Sequence, residues 1–280
     1  MTAQTSGEGP DGAPEDSGKT LEALEDSGRR HGPRVAAVIG AIAALWSLFQ
    51  LWIASPLPFI FGFGIIVDVP ARGIHLAFAL ILSFLIFPGA RQANDGRIPP
   101  HDLLFAALGA GAALYLFLGY DGLVARQGVL LVHEASLFGV EFAFPTEAML
   151  GAVGIGLLLE AMRRAIGIPL VIVAGVFLIY SIFGQSMPEI ISHKGVSLNR
   201  LIGYQWLGGE AIFGIPIDVS VSFVFLFVLF GALLEKAGAG KYFLDLSFAM
   251  VGRFRGGPAK AAILASGMTG AISGSSIANV

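Results

Sequence analysis

Lys260-Ala-Ala-Ile-Leu-Ala-Ser-Gly-Met-Thr-Gly-Ala-Ile-Ser-Gly-Ser-Ser-Ile-Ala-Asn-Val280 is an apolar stretch that stops too early. Its apolar run, residues 261–272, has 12 residues, whereas a membrane-crossing helix needs about 20. Ser273-Gly274-Ser275-Ser276 then interrupts it with residues that free the backbone and carry small hydroxyls. In hydrocarbon, non-helical backbone persists only where protein or a watery cavity covers it. The stretch therefore reads as a discontinuous membrane helix, the kind of element at which transporters hold coupling ions and substrate. The same residues also suit a small-residue face for close helix packing.

The surrounding chain agrees with a membrane setting. Of its 280 residues, 55% are hydrophobic and only 13% charged, a composition that predicts an all-α polytopic membrane protein. It has no cysteine, which excludes disulfides, thiolate metal sites and a cysteine nucleophile. The net charge of -3 arises before residue 35, where seven acids (Glu8, Asp11, Glu15, Asp16, Glu22, Glu25, Asp26) face four bases (Lys19, Arg29, Arg30, Arg34). The 13 acids and 13 bases that remain cancel, so a nucleic-acid partner is not expected. Residues 1–33 are rich in Gly, Pro, Ser and acid, a composition that predicts a disordered tail and lacks the basic start of a secretory signal.

Apolar runs predict about six transmembrane helices, at 35–53, 73–87, 103–118, 148–162, 170–183 and 217–234. Trp46 and Trp52 read as interface anchors of the first. Residues 119–146 read as an external or interfacial connection, and 185–214 as loop with an interfacial helix. Residues 241–257 mix aromatic residues with Asp245, Arg253 and Arg255, which predicts an arm helix lying in the interface. Gly256-Gly257-Pro258 is the hinge that turns the arm into the opening stretch. A cytoplasmic N-terminus places 13 basic residues inside and four outside (Arg72, Arg126, Lys194, Arg200), the asymmetry expected of a multi-pass membrane protein.

Single polar residues add smaller expectations. Glu160 stands three and four residues before Arg163 and Arg164, so the three share a helix face. They read as a local ion pair or as a contact between two parts of the protein. His75 reads as a packing or hydrogen-bonding residue, Asp218 as a helix cap, and His193 and Glu210 as solvated external residues. The histidines at 31, 75, 101, 133 and 193 are scattered, with no metal spacing and no Ser–His pairing. An enzyme is therefore not expected, nor a resident cofactor.

Five motifs then fall in one order: Gly214-Ile-Pro216, Phe225-Leu-Phe-Val-Leu-Phe-Gly231, Leu234-Glu-Lys-Ala-Gly238, Gly252-Arg-Phe-Arg-Gly-Gly-Pro-Ala259 and Ser273-Gly-Ser-Ser276. Over residues 148–280 the chain resembles the membrane component of tripartite ATP-independent periplasmic (TRAP) transporters, in particular the fused permeases of the TAXI subgroup. Leu159-Glu-Ala-Met-Arg-Arg164 is similar to those permeases as well. The resemblance implies a four-helix small-subunit-like domain at 34–166, behind the 1–33 cytoplasmic tail, and the start of a large-subunit-like transport domain at 167–280. It implies a sodium-driven elevator that imports an organic acid delivered by a periplasmic substrate-binding protein. The opening stretch is similar to the first half of that family's first re-entrant hairpin, so the chain is expected to be the N-terminal portion of a permease. Sodium takes oxygen ligands, which unwound carbonyls and serine hydroxyls supply. Ser273, Gly274, Ser275, Ser276 and Asn279 are the candidate sodium ligands. The rival expectations are a sodium-coupled elevator of the divalent-anion symporter type and a non-transporting membrane scaffold.

Overall fold

The computed structural model describes residue 29 and residues 31–66, 68–89, 97–126, 129–137 and 140–273. The apolar runs are helical because backbone in lipid must satisfy its own hydrogen bonds. In chain order the helices are α1 (Pro33–Ala54), α2 (Leu57–Phe61), α3 (Asp68–Ile86), α4 (Pro100–Ala125), α5 (Thr146–Ala165), α6 (Ile168–Phe183), α7 (Leu198–Ile202), α8 (Ile215–Lys236), α9 (Ala239–Val251) and α10 (Gly257–Ser273). Five of them are long and apolar enough to cross a membrane: α1, α3, α4, α6 with its following turn, and α8. The expected fourth span, α5, is a 20-residue helix carrying Glu147, Glu160, Arg163 and Arg164. Those charges separate it from the other five.

One expectation needs amending. Between α4 and α5, β1 (His133–Leu137) and β2 (Val140–Phe144) pair antiparallel, His133 opposite Phe144. The alternation of Val140, Phe142 and Phe144 with Glu141 and Ala143 is a strand pattern. The all-α architecture therefore carries a small hairpin in this connection.

The core lies where α3, α4 and α5 meet the segment after α7. α3 and α4 approach closely through small residues, as helices in lipid do. A Cβ on Gly73 would lie 2.8 Å from the Ala113 carbonyl oxygen. Of residues 185–214, expected as loop with an interfacial helix, 185–200 are largely exposed and the buried residues lie toward the end of the segment. Past α7 the helix widens over Gly203–Leu207, and Leu201, Ile202, Trp206, Leu207 and Phe213 are all buried. Trp206 occupies a slot cut into α5 by two glycines. A Cβ on Gly154 would lie 2.2 Å from the Trp206 ring, and one on Gly151 would lie 2.5 Å from Ile202 Cγ2. The indole N–H donates to the Ala112 carbonyl at 3.1 Å, so the ring is buried with its one polar group satisfied.

Candidate transport site and its polar supports

α9 and α10 form a tight helical pair. Gly256 between them has φ +73°, a left-handed angle that glycine adopts at little cost. At Gly257, a Cβ would lie 2.1 Å from the Gly252 carbonyl oxygen. Two of the three expected hinge residues thus have steric reasons to be glycine, and Pro258 lies in the first turn of α10, where proline needs no N–H partner. Along the pair, Ser247 of α9 and Ala261 and Ala265 of α10 are buried. At about 1.5 Å per residue, the 17 described residues of α10 cover roughly 25 Å. Gly257→Val is expected to open this turn and cost about 1–3 kcal/mol. Thermal melting in detergent reads this directly, and an unchanged melting temperature would show that the turn tolerates a Cβ.

Of the candidate sodium ligands, Ser273 is the last residue of α10. Gly274, Ser275, Ser276 and Asn279 lie outside the described residues.

A polar pin that the sequence did not announce joins α1, α3 and α8. Buried Gln50 donates through Nε2 to the Val221 carbonyl at 3.2 Å and sits 2.7 Å from His75 Nδ1. Trp46 Nε1 also donates to His75 Nδ1, at 3.3 Å. With donors on Nδ1, the ring carries its proton on Nε2, which donates to Ser220 Oγ at 3.1 Å. Ser220 and Val221 open the widened turn Ser220–Val224 within α8. Wide turns release carbonyls from the regular ladder and often mark functional places; here Gln50 takes up the Val221 carbonyl. Trp46 is thereby corrected from interface anchor to internal contact, edge-on to His75 at 4.9 Å. Trp52 stacks on Phe61 beside exposed Phe59, Ile60 and Phe63, as an aromatic belt would.

Charges collect at the two ends of the bundle. At one end, buried Asp102 of α4 takes hydrogen bonds from Arg29 at 2.6 Å and Arg164 at 2.7 Å. Glu160 binds Arg163 and Arg164, each at 2.7 Å. Arg163 also donates to the Gly89 carbonyl at 3.0 Å, and Arg164 lies over the Phe84 and Phe105 rings. The described polar partners of Glu160, Arg163 and Arg164 lie between Phe87 and Arg164, as the local ion-pair reading has them. Arg29, expected within a disordered tail, is held by its buried pair and by its backbone N–H to the Ile86 carbonyl at 2.8 Å.

At the other end, Arg72 of α3 binds Asp218 of α8 at 2.8 Å and the Phe213 carbonyl at 2.9 Å. Asp218 is an ion-pair partner and not a cap; the residue before α8 is Gly214, with no side-chain cap bond. Buried Glu147 accepts from Tyr115, from Arg126 and from the Leu131 N–H. His193 folds back on its own loop, accepting from the Gly195 N–H at 3.1 Å and donating to the Tyr180 carbonyl at 3.0 Å. Among the described residues, the Trp206 slot, the Gln50–His75 pin and the Arg72–Asp218 pair link the first helices to the later chain.

Residues 153–280 match the family model described as Tripartite ATP-independent periplasmic transporter, DctM component. This stretch, 128 of the 280 residues, is similar to the DctM component of TRAP transporters. No curated protein matches the chain, and no solved structure does. The DctM segment begins inside α5, one residue before Gly154, and runs through the Trp206 slot, α8 and the α9–α10 pair. The DctM family is a transporter family, not an enzyme family, and five apolar helices of spanning length are those of an integral membrane protein.

Proposed function

We propose that the protein is the permease of a sodium-coupled TRAP transporter of the TAXI type, which imports an organic acid handed over by a periplasmic substrate-binding protein. The observation that carries this reading is the DctM match over residues 153–280. The glycine turn into α10 supports it, because it joins the arm helix α9 to the stretch that carries Ser273-Gly-Ser-Ser276. In this reading residues 34–166 are the small-subunit-like part and 167–280 begin the transport part. Ser273, Gly274, Ser275, Ser276 and Asn279 supply oxygen ligands to sodium, and the organic acid binds beside them.

The test uses the protein expressed from its native gene, in proteoliposomes with its binding protein and candidate acids. Uptake is expected only with the binding protein and an inward sodium gradient. Ser273→Ala/Ser276→Ala is expected to raise the sodium concentration for half-maximal uptake at least tenfold. Uptake that survives sodium removal would end the sodium reading, and uptake without the binding protein would end the tripartite one.

The N-terminus faces the cytoplasm in this proposal, supported by the 13-to-4 split of basic residues. A cysteine placed at Ser197 should then react with an impermeant thiol reagent added outside, and one at Ala239 should not. The opposite labelling pattern would invert the topology.

A further inference from the structure

A wedge opens between α1 and α4 with α3 at its back. It encloses about 450 Å³ and is lined by Val35, Val38, Ile42, Ile81, Leu103 and Ala107 among others, with Arg34 at its mouth. It exists for two reasons. The second half of α1 is held to α3 and α8 by Trp46 and Gln50, and α1 makes no substantial contact with α4 among the described residues. The facing wall of α4 is Ala106, Ala107 and Ala110, whose short side chains leave the space unfilled.

The wedge has a direction. From Val35 to Ile42 it runs about 10 Å along the helix, which fits within one leaflet of a hydrocarbon layer roughly 30 Å thick. Its walls are apolar to the deep end. Its mouth lies at the end of the bundle that holds Arg29, Arg163 and Arg164. Those three guanidiniums are paired with Asp102 and Glu160. Arg34 is exposed and makes no hydrogen bond or ion pair among the described residues, and Arg97 flanks the lining residue Ile98. An apolar slot one leaflet deep, with an uncommitted cation at headgroup level, has the shape and charge of a phospholipid site.

We propose that the α1–α3–α4 wedge binds one anionic phospholipid, its acyl chain between Val38 and Ala107 and its phosphate on Arg34. Charge selects the occupant: a zwitterionic lipid fills the same slot but gains less from Arg34, since a cation near the surface attracts anionic lipid by an amount equal to about a fivefold preference. Bound lipid would fill the wedge and brace the unpacked half of α1.

The experiment is native mass spectrometry of the delipidated protein titrated with palmitoyl-oleoyl phosphatidylglycerol or with the phosphatidylcholine of the same chains. One phosphatidylglycerol per protein is expected to bind about fivefold tighter than phosphatidylcholine. Arg34→Gln should erase that preference and leave the weaker binding. Ala107→Phe, at an exposed position, should remove the tight adduct of both lipids; Val38→Phe from the opposite wall serves if that variant does not fold. Equal affinity of the wild type for both lipids, or a tight adduct that survives the wedge-filling variant, would overturn the site.

Discussion

Trp206→Ala is expected to cost about 3 kcal/mol of stability, the low end of the range for deleting a buried tryptophan or phenylalanine. The low end applies because lipid, unlike water, solvates an exposed apolar ring. What is lost is packing and one satisfied N–H. The ring is fully buried, its N–H reaches the Ala112 carbonyl, and its position is shaped by Gly151 and Gly154. Gly154→Ala attacks the same contact from the other side. Its Cβ would lie 2.2 Å from the ring, so overpacking of about 1–3 kcal/mol follows. The pair of substitutions together should cost clearly less than the sum, since the alanine Cβ then occupies space the indole has left. Thermal melting of the four proteins in one detergent reads the cycle. Losses that add within about 0.5 kcal/mol would mean that the two residues do not meet.

Asp102→Ala is the second large effect. The carboxylate is fully buried and serves two guanidiniums, those of Arg29 and Arg164, both also buried. Removing it strands two positive charges, and breaking a buried pair in this way costs about 3–5 kcal/mol. Glu160→Gln nearby is the control. Glu160 and Arg163 are 26% and 38% exposed, so solvent screens that pair. Buried Arg164 keeps Asp102 when Glu160 is changed, so the loss should be about 1 kcal/mol. The expected result is an Asp102→Ala variant that melts well below Glu160→Gln in the same detergent. A reversed order would show that Asp102 does not carry the cluster.

The two calculations also mark what could be read from residue order. Glu160 with Arg163 and Arg164 was legible because helix periodicity places them on one face. Asp102 was not, since its partners stand 62 and 73 positions away in sequence. The spans were legible because length and hydropathy decide them; the hairpin of β1 and β2 was not, because its alternation covers only five residues per strand. Gln50 is a polar residue in the apolar run of α1, which flagged it as unusual but not as a partner of Val221, 171 positions on. Trp206 lay among polar and aromatic residues, and the glycines that receive it look like any small-residue helix face. The hinge at Gly256 and Gly257 was readable because glycine beside proline has a local cause.

The glycine slot in α5 also orders events in time. Gly154 leaves the ribosome 52 residues before Trp206 (206 − 154 = 52), a delay of roughly 3–10 s at 5–20 residues per second. Until the indole arrives, α4 and α5 have a vacant groove. The first helices therefore enter the bilayer as an unfinished assembly that later chain must close. If the polypeptide were divided in the turn at Gly167, the ring would become the knob by which one chain docks on another.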